Sequence, residues 1–321
     1  MLAYVLKRLG LGILVMLAVS TIVFTLVNVK TMLAVSTIVF TLTNVAADPA
    51  RTIAGEGATA ADVEAARIAY GFDRPIPVRY AEWLANVAQG DLGTSYRQRR
   101  PVADVVAERL PVTLALGLAA FALALALSLP LGLLAGLREN TWVDRLALVF
   151  ALVGQAMPTF WFALLGMVIF VVKLGWLPAS GSDTWRHFVL PSVVLAYYAT
   201  PTLMRLTRAG VIEVMKSDYI RTARAKGLRP GKVVLKHAMR NAILPLVSVA
   251  AVQLGFMLGG SIVVETIFAM RGLGYLAWES ITFSDLPVIQ AVVLLIAGIY
   301  VLLTLGADIL NAWLDPRLRM G

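Results

Sequence analysis

Cysteine is absent from the chain, which excludes disulfides and thiolate metal sites. Histidine is nearly so: the two histidines, His187 and His237, lie too far apart in sequence for an ordinary zinc site. Charge is sparse as well, at 15% of 321 positions, with 19 acidic residues against 28 Lys and Arg. Apolar residues fill the gap at 59%, with a mean hydropathy of +0.80, beyond the range of a soluble globular domain. Such a composition reads as a polytopic membrane protein with no redox or metal chemistry. No nucleophile–base pairing stands out, so no catalytic site is expected. "GLRPGKV" at 227–233 imitates a phosphate-binding loop, but three residues separate its glycines and Val233 stands where Ser or Thr would hold magnesium. Nucleotide binding by this chain is therefore not expected.

A helix needs about 20 apolar residues to cross the hydrocarbon core. Six regions qualify: 9–29 with its continuation to 47, 112–137, 146–172, 189–204, 242–264 and 288–314. The third contains Pro158, which neighbouring helices can accommodate. Between the fourth and fifth regions, 205–240 carries ten Lys and Arg against Glu213 and Asp218, nearly the whole charge excess of the chain. The positive-inside rule places this loop in the cytoplasm, and counting spans outward puts Lys7, Arg8, Arg317 and Arg319 there too. Segment 48–110 then lies outside, with eight basic and nine acidic residues. It reads as folded: "ATAADVEAARIAYGF" predicts an amphipathic helix capped by Thr59 and stopped by Gly71, and "VRYAEWLANVAQG" a second helix.

The basic loop, "DYIRTARAKGLRPGKVVLKHAMRNAILP", predicts a helix through Lys226, a stop at Gly227 and a second helix begun by Pro230. Thr222, Ala223 and Ala225 are small enough for another protein to approach the backbone, and the surrounding cations suit an acidic groove. From charge alone, a topogenic loop is the plainer reading. Inside the spans, Gln155, Gln253 and Asp308 are costly to expose to lipid and are candidate pathway residues. Asp308, near the cytoplasmic end of its span, reads better as a structural partner of Arg205 or Arg208.

Eleven letters, Met16 to Leu26, recur at Met32 to Leu42, sixteen residues on. As one helix, 9–47 would extend about 58 Å, nearly twice the hydrocarbon thickness. A hairpin at Lys30 would reverse every later segment, and a signal peptide of this length is far too long. Sixteen residues rotate the second copy about 160° beyond whole turns, so the copies face nearly opposite sides. The doubling thus reads as a tandem duplication within one span. The first copy is expected to span, with the second accommodated by tilt, by a break near Asn28–Lys30, or at the outer interface under the outer segment or a partner.

Several motifs together resemble one family: "KRLG" near the start, "GDLGTSY", "RRPVADVVAERLPVTLALG", "MPTFW", "SDYIRTARAKGL…KHAMRNAILP", "ETIFAMRGLGYL" and "DPRLR". They are similar to the permease subunits of ATP-binding-cassette importers of the dipeptide/oligopeptide/nickel group. The resemblance implies an all-α integral membrane fold, a single domain over 1–321. It would have six transmembrane helices, an extracytoplasmic helical insertion at 48–110 after the first span, and a cytoplasmic coupling helix within 205–240 between spans four and five. It implies ATP-driven import of peptides or a related small solute across the bacterial inner membrane, with no cofactor in this chain because ATP binds partner subunits. The implied partners are a homologous second permease, two cytoplasmic ATP-binding subunits, an extracytoplasmic substrate-binding protein and the lipid bilayer, with no nucleic acid. The coupling motif, often written EAA-x3-G, maps onto Arg221, Thr222, Ala223, Arg224, Ala225, Lys226 and Gly227. The rival classes are an ATP-independent secondary transporter or channel, which would carry more charge deep in its spans, and a scaffold without transport.

Overall fold

The computed structural model describes residues 28–45, 48–55 and 57–314. Lys7, Arg8, the first copy of the repeat up to Val27, Arg317 and Arg319 lie outside the described residues. The described chain is helical, and the one β-bridge among these residues joins Thr94 and Pro101. It divides into two compact units, one made of residues up to Pro111 together with Leu276–Val301, the other of Val112–Tyr275 with the residues from Leu302.

The first unit includes helix α1 (28–45); residues 28–30, near which a break was expected, are helical, and those before Asn28 lie outside the described residues. The second copy of the repeat forms most of α1, where Ser36 and Phe40 are buried and Leu33, Ile38 and Leu42 are exposed. Short α2 (Pro49–Ala54) leads to α3 (Ala60–Ala69) and α4 (Ile76–Ala88). Thr59 and Asp62 close a capping box on α3, and the Asp62 carboxyl is held below its usual range by the Thr59 hydroxyl and backbone. Helix α4 lies on α1: Ser36 Oγ and Tyr80 OH are 2.7 Å apart, and the Phe40 ring sits 5.4 Å from Tyr80 and 5.5 Å from Trp83. Each such aromatic pair adds about 0.5–1.5 kcal/mol beyond its burial. Gln290 donates to Thr43 Oγ1 at 2.9 Å, and Arg79 donates to the Asn44 side chain. In the following loop Asp285 accepts Ser95 Oγ (2.5 Å) and Tyr96 N–H (3.0 Å), while burial pushes the Tyr96 phenol up to about 12.

The second unit is a bundle whose core joins Leu116, Ala120 and Ala124 to Val194, Leu203, Leu246 and Val264. Its elements are the continuation of α5 (Val102–Leu137), α6 (Trp142–Ala156), α7 (Thr159–Gly166) running into a π-helical turn (Met167–Lys173), α8 (Trp185–Met215), the basic segment, and α12 (Leu244–Ile267). Between α8 and α12 that segment comprises α9 (Asp218–Ala225), α10 (Pro230–Lys232), a π-helical stretch (Val233–Ala238) and α11 (Met239–Ala242). After α12 come α13 (Leu273–Thr282) and α14 (Leu286–Leu314). Helix α5 starts ten residues before the expected span because the charged turn around Asp104 and Glu108 continues the same helix. The third expected span is instead bent by 99° between α6 and the α7 segment: Pro158 lacks an N–H, and Met157 before it takes an extended conformation (φ −87°, ψ 127°). Among the described residues, two helices are long and apolar enough to cross a membrane alone, Val102–Leu137 and Leu286–Asn311, and up to four spans result if each bent pair is one span. The fourth expected span falls in α8, which carries Pro191 and Pro201 inside the helix and Arg205, Arg208 and Glu213 beyond them.

Candidate functional site

The basic segment is built outward from a small core of its own. Helix α9 places Ile220 and Ala223 on one face, where they are buried with Val233 and Ala238 and flanked by Val214, Met215 and Leu228. The opposite face exposes Arg221, Thr222, Arg224, Ala225 and Lys226. Three cations therefore share this exposed surface, and the one acidic residue on α9, Asp218, reaches Arg221 at 3.2 Å in a fully wet setting, where such a pair contributes little. The small-residue motif thus splits in two. Thr222, Ala225 and Gly227 are open, whereas Ala223 belongs to the floor, because a helix on a bundle must turn one stripe inward.

The helix ends where Gly227 was expected to stop it. Gly227 has φ +71°, its N–H reaches Arg224 O (2.9 Å), and Leu228 N–H reaches Ala223 O (3.4 Å). That is a Schellman closure, with Leu228 packing back on the buried cluster. No heavy atom lies within 4 Å of a Cβ added at Gly227, so backbone conformation and not space selects glycine here. Asn241 Nδ2 donates to Tyr219 OH at 2.8 Å, tying α9 to α11. Helix α11 in turn touches α8 so closely that a Cβ on Gly210 would stand 2.4 Å from Ala242 O.

Two ion pairs clamp the end of α8 above this segment. Arg208 binds Asp144 with both oxygens (Nε–Oδ1 2.5 Å, Nη2–Oδ2 2.7 Å), and Asp144 also accepts Asn140 N–H at 2.9 Å. Lys216 meets Glu139 at 3.2 Å. The expected partner of Arg208, Asp308, is exposed on α14 and takes no part: Asp144 stands at the start of α6, which packs along α8, and claims the guanidinium first. Gln155 is exposed on α6 with a long contact to Thr202 (3.4 Å), and Gln253 is buried in α12. Among the described residues, three buried carboxylates escaped the sequence expectations: Asp144, Glu265 and Asp285. A signal for Glu265 lay in "ETIFAMRGLGYL", where two glycines follow the glutamate at the distance of a turn.

Residues 128–320 match the family described as the inner membrane component of binding-protein-dependent transport systems, and residues 25–117 match the N-terminal part of such a membrane component. The chain belongs to this transport-permease family. Among its relatives is the glutathione transport system permease protein GsiC of Pectobacterium atrosepticum, 43% identical over 272 residues, which are 85% of this chain and 89% of that one. The GsiC protein of Escherichia coli K12 is 40% identical over 320 residues, 99% of both chains. In fold, the permease is similar to the inward-facing MetNI methionine ABC transporter (TM-score 0.55, 19% identity, 66% of this chain and 96% of that chain). It is an inner-membrane permease subunit of an ABC importer.

Proposed function

We propose that this permease forms half of an ATP-driven import pathway for peptides or glutathione-like solutes, and that α9 is the element through which ATPase subunits move it. The observation that carries the reading is the two-sided build of α9: a floor of Ile220 and Ala223 fixed to the chain's own core, and an outer face of Arg221, Arg224 and Lys226 left for a partner. A cationic ridge on a fixed helix fits an acidic groove, and a groove that closes on ATP would carry the ridge as a rigid body into α8 and α12. The substrate class is transferred from the GsiC relatives.

In this reading, six spans place 205–240 and both termini in the cytoplasm and 48–110 outside. A second homologous permease, two ATP-binding subunits and an extracytoplasmic binding protein complete the importer. The charge asymmetry supports that threading: 205–240 carries ten Lys and Arg against two acidic residues, whereas 48–110 carries eight basic against nine acidic residues. In this cysteine-free chain, Ala61→Cys and Ala225→Cys, both at exposed positions, should differ in labelling by an impermeant maleimide on intact cells. Labelling at 225 but not at 61 would reverse the orientation. The functional test is Arg221→Glu with Arg224→Glu in the assembled complex. Glutathione uptake and stimulated ATP hydrolysis should fall together while the complex still forms, and unchanged uptake would reject α9 as the coupling element.

A further inference from the structure

The structure assigns Glu265 as a positioning residue that locks the turn after α12 to α12 and α5, so that movement of α12 reaches this turn without loss. This rests on the importer reading above. Helix α12 begins directly after the basic segment, from which it is bent by 58°, and its 24 residues extend about 36 Å. Glu265 stands in its last turn, fully buried, with no ion pair among the described residues. Its Oε1 accepts Thr113 Oγ1 of α5 (2.7 Å) and Ser261 Oγ of α12 (2.9 Å), and its Oε2 accepts Tyr275 N–H (2.9 Å). Thr113 Oγ1 in turn accepts Leu273 N–H at 2.7 Å, so the threonine hydroxyl relays the turn's backbone to the carboxylate.

The backbone of Glu265 holds the same turn. Met270 N–H reaches Glu265 O at 2.8 Å, closing α12 with Ala269 at φ +46°, a left-handed conformation for a residue with a Cβ. Strain of this kind persists only where the surroundings over-determine it. Space is equally restricted: a Cβ on Gly272 would stand 2.5 Å from Glu265 Oε2 and Thr113 Oγ1, and one on Gly274 would stand 2.7 Å from Ile262 Cα. Carboxylate, hydroxyl and two glycines thus form one unit. A buried carboxylate costs several kcal/mol to desolvate, and a well-packed apolar side chain would join α5 to α12 without that cost. What the apolar side chain lacks is the ability to hold backbone N–H groups of a turn in one register, and that is the function assigned to Glu265.

The test uses the complete importer with Arg271→Cys, an exposed position in the locked turn, labelled by an impermeant maleimide with and without ATP plus vanadate. In the otherwise unaltered complex the labelling rate should respond to nucleotide. With Glu265→Gln, whose single amide oxygen cannot accept both from Tyr275 N–H and from the Thr113 and Ser261 hydroxyls, or Thr113→Val, which removes the relay at constant shape, that response should shrink about tenfold, from the cost of an unsatisfied buried group. Basal ATP hydrolysis and assembly should persist, and Thr113→Ser should restore the response. An unchanged response in both variants overturns the proposal. So does failure of both to assemble, which would make Glu265 structural only, or the lack of any nucleotide response in the parent. ATP-driven uptake by the parent complex decides the importer reading separately.

Discussion

Asp144 is the buried acid whose loss the fold should feel most sharply. Neutralising it by Asp144→Asn leaves the geometry but removes the charge that receives two guanidinium N–H groups at 2.5 and 2.7 Å. Breaking one partner of a buried pair costs about 3–5 kcal/mol. Here the Arg208 side chain keeps 21% of its surface in contact with solvent, which offsets part of that cost, so a loss of about 2–3 kcal/mol is expected. Removing both charges, as Asp144→Asn with Arg208→Gln, should cost less than the two single changes together by about 1–2 kcal/mol, because no charge is then left unpaired. Thermal unfolding of the purified permease in detergent measures this: the single variants should melt several degrees lower and the double variant should recover part of the drop. A single variant that melts with the parent, or strict additivity in the double, would refute the pairing as a structural clamp.

The two faces of α9 should separate by phenotype: Ala223→Asp puts a charge into the floor and should prevent stable assembly, whereas Ala225→Asp should leave assembly intact, as judged by gel filtration. The capping box should be sensitive to acid. Because Asp62 is held below its ordinary value of 3.8, its stabilisation of α3 is present above that value and is lost as pH falls through the lower folded value; amide exchange in α3 should accelerate there, and Asp62→Asn should abolish the pH dependence. Deleting Met32–Ala47 should bring Ser20, Phe24 and Asn28 to the distances from Asp48 now held by Ser36, Phe40 and Asn44, so assembly should survive with the Thr43–Gln290 bond lost, since Val27 replaces Thr43. Deleting Met16–Thr31 should keep that bond, and non-assembly of both deletion variants would contradict the packing of α1.

Local stops and starts were legible because each depends on one residue's chemistry. Thr59 caps α3, Gly71 and Gly227 end their helices, and Pro230 opens the second half of the basic segment, all as the letters specify. Apolar runs located helices for the same reason. The 99° bend at Pro158 was not legible, since a proline in a span is compatible with either a kink or a full break, and tertiary packing decides. Charge pairing failed for a related reason. Sequence position pointed to Asp308 as the partner of Arg205 or Arg208, whereas the packing of α6 along α8 brings Asp144 to Arg208. Helical periodicity over the eight residues of α9 was too short to say which small residue faces inward, so Ala223 was indistinguishable from Ala225.

If α9 carries the ATPase contact, a photo-crosslinking amino acid at Ala225 in the assembled importer should form an adduct with an ATP-binding subunit whose yield changes between the nucleotide-free and ATP–vanadate states, and none should form when the same group is placed at Ala61. An adduct confined to other permease residues or to lipid at 225, in a complex that hydrolyses ATP, would contradict that role for α9.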